Sequence, residues 1–130
     1  MKSIDTNVVI RFIADDDPLQ TCVARSLFRN SEIFVSQTVL IETEWVLRGV
    51  LGWDRRRVGS ALVTLLRTDR VTVERSSDVL WAIERHAVGA DFADMLHVAA
   101  ARRTAGFATF DRAVAREAGP DSPVPVETLR

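Results

Sequence analysis

Short apolar runs alternate along this chain with longer segments of helical periodicity, and this alternation limits the fold more than any other feature. Runs at 33–35, 71–73 and 107–109 are rich in apolar and β-branched residues, and another begins at Lys2. The segments between them place apolar residues three or four positions apart, as amphipathic helices do. Short strands separated by helices predict a mainly parallel central sheet with helices on both faces, a three-layer α/β/α sandwich.

The predicted boundaries follow from turn and capping residues. Strands are predicted at Lys2–Ile4, Ile33–Val35, Val71–Val73, Phe107–Thr109 and, as an edge strand between prolines, Val124–Val126. Helices are predicted from Thr6 or Asn7 to Ile13, then over Pro18–Arg29, Ser36–Val50, Asp54–Leu66, Ser77–Ala87, Asp91–Thr104 and Asp111–Ala118. Thr6 or Asn7, Asp17 and Asp54 are the expected N-caps of the first, second and fourth helices.

Length and composition favour one small protein domain inside the cell. The chain has 130 residues, 47% of them hydrophobic, which suits a single domain over residues 1–130. We expect a soluble, cytoplasmic protein without a membrane partner, because no apolar segment approaches about 20 residues and the N-terminus does not resemble a secretory signal. The single cysteine, Cys22, is expected to pack within a helix. The net charge of -1 argues against nucleic-acid binding by bulk electrostatics alone.

Acidic residues follow the predicted strands, where parallel sheets bind their ligands. Asp5 follows the first strand and Asp111 follows the strand at 107–109. Glu42 lies about two turns into the third helix, and Asp91 and Asp94 begin the sixth. These acids could all lie near one edge of the sheet.

Each acid also has a purely structural interpretation. Asp5, Asp91 or Asp111 could cap a helix, and Asp94 could complement the helix dipole. Glu42 has apolar neighbours one turn away on both sides, so its carboxylate would need a cation or a hydrogen bond. Glu44 is placed similarly, and periodicity does not choose between the two glutamates.

Taken together, the acids predict a bound cation. Clustered carboxylates repel one another unless a positive charge lies among them. Oxygen ligands without a histidine or cysteine set favour Mg²⁺ or Mn²⁺, ions that are often completed by the phosphate oxygens of a substrate. The expected chemistry is therefore phosphoryl transfer.

Four segments of the chain resemble the PIN-domain ribonucleases, and within them the VapC toxins of toxin-antitoxin modules. They are "IDTNVVI" at 4–10, "VSQTVLIETEWVL" at 35–47, "GADFADMLHVAAARRTAG" at 89–106 and "FATFDRAV" at 107–114. The resemblance covers essentially the full length and implies a PIN-like fold. It assigns the family's four acidic positions to Asp5, Glu42, Asp94 and Asp111, and thereby favours Glu42 over Glu44.

The resemblance implies metal-dependent hydrolysis of RNA phosphodiester bonds. Asp5 and Asp94 would bind Mg²⁺ or Mn²⁺, while Glu42 and Asp111 would complete the acid pocket. Thr6 and Asn7 beside Asp5 would have supporting roles, as would Thr109 beside Asp111. Asp91 would be either an auxiliary acid or a plain helix cap.

RNA and protein partners follow from the same resemblance. Candidate phosphate contacts, each of which could instead belong to a solvated helix face, are Arg55, Arg56, Arg57, Arg102, Arg103, Arg112 and Arg116. Of the tryptophans, Trp45 is expected in the core and Trp53 at the surface. A cognate antitoxin would insert a basic side chain into the acid pocket. A homodimer is also expected, with the apolar helices at 18–29 and 36–50 as its candidate surface.

Two alternative functions are compatible with parts of the pattern. A PIN-like module could bind RNA or protein without cleaving, although none of the four acids is missing. A phosphotransfer enzyme of the HAD type also has an aspartate after its first strand, but position 7 holds Asn7 where that class has a second aspartate.

Overall fold

The computed structural model describes residues 1–130, and helices alternate with short strands throughout. The strands are β1 (Lys2–Ser3), β2 (Ile33–Val35), β3 (Val71–Val73), β4 (Phe107–Thr109) and β5 (Val126–Thr128). The helices are α1 (Thr6–Ile13), α2 (Pro18–Asn30), α3 (Gln37–Trp45), α4 (Arg55–Arg67), α5 (Ser76–Ala87), α6 (Phe92–Ala100) and α7 (Ala113–Ala118). Every strand pair is parallel. The predicted class, a PIN-like three-layer α/β/α fold with short parallel strands, is confirmed.

The chain divides into two compact units, and the first comprises Met1–Ser76. Its sheet has the strand order β1-β2-β3, with Ile33 of β2 aligned with Lys2 on one side and Val71 on the other. Helix α1 packs against α2 and α3, and α4 packs against α3 and β3. The fully buried side chains of this unit include Val9, Ile33, Val35, Leu40, Leu47, Val58 and Leu62.

Aspartates begin three of the helices in the first unit. Asp17 and Asp54 accept hydrogen bonds from the backbone N–H groups of Gln20 and Arg57, as predicted for N-caps. The predicted cap of α1, Thr6 or Asn7, was wrong, because the N-cap is Asp5, in agreement with the structural interpretation of that residue, and the helix begins at Thr6. An ionised carboxylate satisfies the free N–H groups of a first turn and lies at the positive end of the helix dipole.

The third helix differs from its predicted form near its C-terminus. The expected helix over Ser36–Val50 is divided into α3 and a π-helical turn at Val46–Val50, in which the Leu51 N–H donates a 2.9 Å hydrogen bond to the Val46 carbonyl. The ring of Trp45 lies against Gly49, where a Cβ atom would be 3.5 Å from the indole. Trp45 is 55% exposed, so its predicted place in the core was wrong.

The second unit comprises Ser77–Arg130. Strands β4 and β5 form a parallel pair in which Phe107 is aligned with Val126, and α7 packs against both α6 and β5. The buried apolar residues of this unit include Val79, Ala82, Phe92, Met95, Leu96, Val98 and Val114. The last strand begins two residues later than predicted, because Pro123 and Pro125 have no N–H groups to donate to a ladder.

The remaining expectations concern membrane crossing, Cys22, the end of α6 and the number of domains. None of the helices combines the length and the apolar character that crossing a bilayer requires. Cys22 is exposed on α2, so its predicted packing role was wrong. The predicted helix over Asp91–Thr104 ends at Ala100, where the chain continues in tight turns. The expectation that residues 1–130 form a single domain stays a prediction.

Candidate active site

Asp5 lies immediately after β1 and caps α1. Its Oδ1 accepts a 3.1 Å hydrogen bond from the backbone N–H of Val8, and its side chain is exposed to solvent. The other carboxylate oxygen, Oδ2, forms no hydrogen bond within the chain. Asp5 therefore stabilises the helix with one oxygen and leaves the second open to a ligand.

Thr6 and Asn7 differ in their surroundings. Thr6 is buried, whereas Asn7 is exposed and lines a cavity of about 400 Å³ together with Asp5 and Arg11. Neither side chain hydrogen-bonds to the carboxylate of Asp5. Their predicted role as groups that orient Asp5 or its bound water stays a prediction.

The two glutamates of α3 lie on different faces of the helix. Glu44 is buried with Leu40 and Leu47, and its Oε2 lies 2.9 Å from Nε of Arg48. Glu42 is exposed. The inference that Glu42 sits against an apolar surface was therefore wrong, because the helix turns the face of Leu40, Glu44 and Leu47 towards the core. Of the two, Glu42 is the carboxylate accessible to a substrate.

The second unit brings three of the predicted acids together around α6. Asp91 caps α6 and accepts a 2.9 Å hydrogen bond at Oδ1 from the backbone N–H of Asp94. Partial burial raises the pKa of Asp94, and the negative charges of Asp91 and Asp111 raise that pKa further. Nearby His97 lowers the pKa of Asp94, which opposes these effects. The pKa of Asp94 is raised overall, which means that the folded protein disfavours the ionised form of this side chain.

Glu117 is a fourth acid near α6, and sequence reasoning missed it. Its Oε2 accepts a 3.3 Å hydrogen bond from the backbone N–H of Asp91, and its charge adds to the raised pKa of Asp94. Helix α7 delivers Glu117 by packing against α6. No sequence pattern predicts that Glu117 lies near Asp91, because the two residues are 26 positions apart along the chain.

Asp111 is held in a hydrogen-bonded turn after β4. Its backbone N–H donates a 3.0 Å hydrogen bond to Oγ1 of Thr109, and its Oδ1 accepts a 2.9 Å bond from the N–H of Ala113. The Thr109 hydroxyl thus positions Asp111 through the backbone rather than through its carboxylate. This contact also stabilises the local turn after β4.

The carboxylates offer the oxygen donors that a hard divalent cation prefers. Around Asp94 the carboxylates are those of Asp91, Asp111 and Glu117, whose charges add to the effect of partial burial in raising its pKa. No group of three or more acidic, histidine or cysteine side chains is positioned to hold a metal ion as the side chains stand. Metal binding by Asp5 and Asp94 stays a prediction.

The candidate phosphate-binding arginines fall into two sets. Arg102 donates a 2.6 Å hydrogen bond to the buried Asp78, and the Arg57 guanidinium lies 3.7 Å from the centroid of the Trp53 ring. These two side chains have structural partners. Among the other candidates, Arg56, Arg103, Arg112 and Arg116 are exposed and form no ion pair within the chain.

A second cavity in the first unit combines apolar and basic residues. It has a volume of about 560 Å³ and is lined by Phe12, Ile13, Trp53, Leu65, Ala61, Ser60, Thr64, Arg25, Arg29 and Arg57. No acidic side chain lines it. The cavity is therefore suited to a ligand that carries both apolar groups and negative charge.

Comparisons with known proteins give one family. The family model described as "PIN domain" matches residues 3–119, which include all four predicted acids. Neither the curated proteins nor the solved structures gave a match. PIN domains are generally metal-dependent nucleases, which supports a nuclease role. With the match covering nearly all of its residues, the chain belongs to the PIN domain family.

Proposed function

We propose that this protein is an Mg²⁺- or Mn²⁺-dependent endoribonuclease that hydrolyses RNA phosphodiester bonds. The observation that carries the proposal is the position of Asp94, half-buried among the charges of Asp91, Asp111 and Glu117. A protein gains no stability from holding like charges together, so this arrangement supports the binding of a cationic ligand. Membership of the PIN domain family supports the same function.

In this proposal Asp5 and Asp94 hold the divalent cation, and Glu42 and Asp111 complete the pocket. The cation, when bound, lowers the pKa of a water molecule and neutralises charge on the phosphate oxygens. The carboxylates would orient that water by accepting its hydrogen bonds, and one of them would take up its proton. Thr109 fixes the backbone at Asp111, and the exposed guanidiniums of Arg112 and Arg116 bind neighbouring phosphates.

Purified protein incubated with RNA and Mn²⁺ tests the nuclease role, and capping aspartates provide a matched control. Asp5→Asn removes a charge but keeps a side-chain oxygen that can cap α1, and we expect it to lose more than about 100-fold in cleavage rate. Asp17→Asn makes the same change at the cap of α2 and should retain activity. Equal cleavage by both variants and the wild type would contradict the proposal. RNA binding without cleavage would instead indicate a silent module.

We further propose that the nuclease is the toxin of a toxin-antitoxin pair acting in the cytoplasm. The four motifs that resemble VapC proteins support this role. Induced expression should stop growth, and expression of the Asp94→Asn variant should not. Normal growth on expression of a protein that cleaves RNA in vitro would contradict the toxin role while leaving the nuclease function intact.

The proposed antitoxin would bind through electrostatic attraction to this protein. A basic side chain can neutralise the acids around Asp94 in place of a metal ion. The cavity lined by Arg25, Arg29 and Arg57 is complementary to an acidic, partly apolar segment of the same partner. Co-purification of the product of a neighbouring gene, with loss of the complex in an Arg25→Glu/Arg29→Glu variant, would support this arrangement. An unchanged complex would contradict the role of the cavity.

A homodimer is also proposed, formed by exposed apolar residues on α2 and at the end of α3. Leu19 and Val23 are 82% and 71% exposed, and Trp45 and Val50 are 55% and 62% exposed. Exposed apolar groups of this size are typical of association surfaces. Sedimentation of the wild type as a dimer and of Val23→Glu as a monomer is the expected result.

A further inference from the structure

Phe110 is an exposed aromatic residue next to a predicted catalytic acid. It lies between Thr109, the last residue of β4, and Asp111, and 75% of its surface is accessible. A single exposed apolar residue needs no special explanation. The position of Phe110 beside Asp111 is what makes its exposure informative.

The backbone around Phe110 is held by hydrogen bonds on both sides. The carbonyl of Thr109 accepts a 2.7 Å hydrogen bond from the N–H of Leu129, and the Oγ1 of Thr109 accepts the N–H of Asp111. Oδ1 of Asp111 in turn accepts the N–H of Ala113. The ring of Phe110 is thus presented from a fixed turn, which limits the conformational entropy lost when a ligand stacks on it.

Two exposed arginines follow Phe110 within six positions of the chain, and their charge is complementary to that of a nucleic-acid strand. Arg112 and Arg116 are exposed and form no ion pair within the chain, even though Arg112 directly follows Asp111. An aromatic ring with flanking unpaired guanidiniums is the combination that binds single-stranded nucleic acid, with bases stacked on the ring and phosphates held by the cations.

We propose that Phe110 is a base-stacking residue, whose ring holds the unpaired base of a nucleotide adjacent to the phosphodiester that is cleaved, with Arg112 contacting a flanking phosphate. This inference rests on the proposed ribonuclease function and deepens it. Stacking on Phe110 would position the strand beside Asp111 and would favour an RNA segment whose bases are not paired. A paired base is inaccessible to the ring because it is already stacked in its own helix.

Cleavage of matched oligonucleotides tests the contact. Each RNA carries either a normal nucleotide or an abasic ribose, placed on the 5′ or the 3′ side of the cleaved bond. For the wild type we expect about tenfold lower kcat/KM on one abasic substrate, in line with the measured strength of base stacking. Phe110→Ala and Phe110→Leu should cleave the normal and abasic RNAs equally slowly. Phe110→Trp, which restores a ring, should recover the discrimination.

A binding measurement separates stacking from catalysis. RNA with 2-aminopurine at the discriminating position is titrated with the Asp94→Asn protein without added metal. Stacking on Phe110 changes the fluorescence of the base, and the Phe110→Leu substitution in the same background should abolish that change. Leu80→Ala removes apolar bulk from another exposed position, on α5, and should leave both the fluorescence and the cleavage discrimination unchanged.

The outcomes distinguish this inference from the function on which it rests. Absence of RNA cleavage by the wild type would overturn the ribonuclease proposal and the stacking role together. Metal-dependent cleavage with equal discrimination by wild type and Phe110→Leu would overturn the stacking role alone. A Phe110→Leu variant that changes the sedimentation coefficient but keeps the base discrimination would show that the ring binds protein instead.

Discussion

The backbone N–H of Asp94 donates a 2.9 Å hydrogen bond to Oδ1 of Asp91, the residue that caps α6. The bond that begins the helix therefore holds one carboxylate close to another. Partial burial raises the pKa of Asp94, and the charges of Asp91, Asp111 and Glu117 raise it further. Asp94 is consequently a residue at which ionisation opposes folding.

Asp94→Asn should make the metal-free protein more stable at neutral pH. A carboxyl group whose pKa is raised in the folded state binds protons more readily there, so folding is favoured most below the ordinary value of 3.8 and becomes less favourable as pH rises through the raised pKa. The gain from Asp94→Asn should be complete above that pKa and disappear below 3.8. Urea unfolding at several pH values measures this gain in stability.

Asp121→Asn, at an exposed position, should show no such pH dependence. Lower stability of Asp94→Asn than of the wild type at pH 7 would show that ionised Asp94 does not oppose folding.

Mg²⁺ or Mn²⁺ should raise the melting temperature of the wild type. A ligand at 100 times its Kd stabilises the folded state by about 2.7 kcal/mol when the unfolded chain does not bind it. Asp94→Asn removes a proposed ligand and should lose most of the shift, whereas Asp121→Asn should retain it. Differential scanning fluorimetry with a chelator as reference measures the effect. An equal shift in all three proteins would indicate cation binding elsewhere.

Substitution of the two glutamates of α3 by glutamine should reduce stability at Glu44 and RNA cleavage at Glu42. Glu44→Gln weakens the ion pair between the buried carboxylate of Glu44 and the exposed guanidinium of Arg48, and should reduce the free energy of unfolding by about 1–3 kcal/mol. Glu42→Gln changes an exposed side chain and should alter stability by less than about 0.5 kcal/mol, while lowering RNA cleavage at least about tenfold. Chemical unfolding and initial cleavage rates test the pair. Loss of RNA cleavage in Glu44→Gln but not in Glu42→Gln would assign the catalytic role to Glu44 instead of Glu42.

Arg102 and Arg103 form another matched pair. Arg102→Ala leaves the buried carboxylate of Asp78 without its 2.6 Å hydrogen bond and should reduce stability by about 1.5–3 kcal/mol. Arg103→Ala should keep the stability, weaken RNA binding and reduce the slope of log K against log salt by about 1. Titrations at several salt concentrations provide the measurement. A normal salt slope in Arg103→Ala would exclude a phosphate contact there.

Asp5 should have two separable roles. Asp5→Ala removes the cap of α1 and should reduce the free energy of unfolding by about 1 kcal/mol, in addition to the loss of cleavage. Asp5→Asn should lose cleavage with little change in stability. Comparison of unfolding curves for the two variants separates capping from catalysis. Equal stability losses in both would indicate that the negative charge itself is needed to cap α1.

Local patterns were sufficient for three of the strands and for most helix starts. The three strands at 33–35, 71–73 and 107–109 lie where they were predicted, because short apolar runs between helical segments have few other ways to be buried. Asp17 and Asp54 cap their helices as predicted. The cap of α1 was misassigned by one or two positions, since Asp5, Thr6 and Asn7 are all residue types that can cap.

The face that α3 buries required the tertiary structure. Glu42 and Glu44 have equally apolar neighbours in the sequence, and only packing against the rest of the first unit makes Glu44 the buried residue and Glu42 the exposed one. Trp45 was misplaced for a related reason. Helical spacing does not show that α3 buries the face of Leu40, Glu44 and Leu47, and Trp45 lies outside that face.

Composition and residues a few positions apart were enough to predict the parallel α/β class, the candidate acids and the helix caps at Asp17 and Asp54. Only the tertiary structure decided that Glu117 lies beside Asp91 and that Phe110 is exposed next to Asp111. It also decided that Arg102 is paired with Asp78. These contacts join elements that are distant along the chain or depend on what a turn leaves uncovered, and their free energies are set by burial and charge in three dimensions.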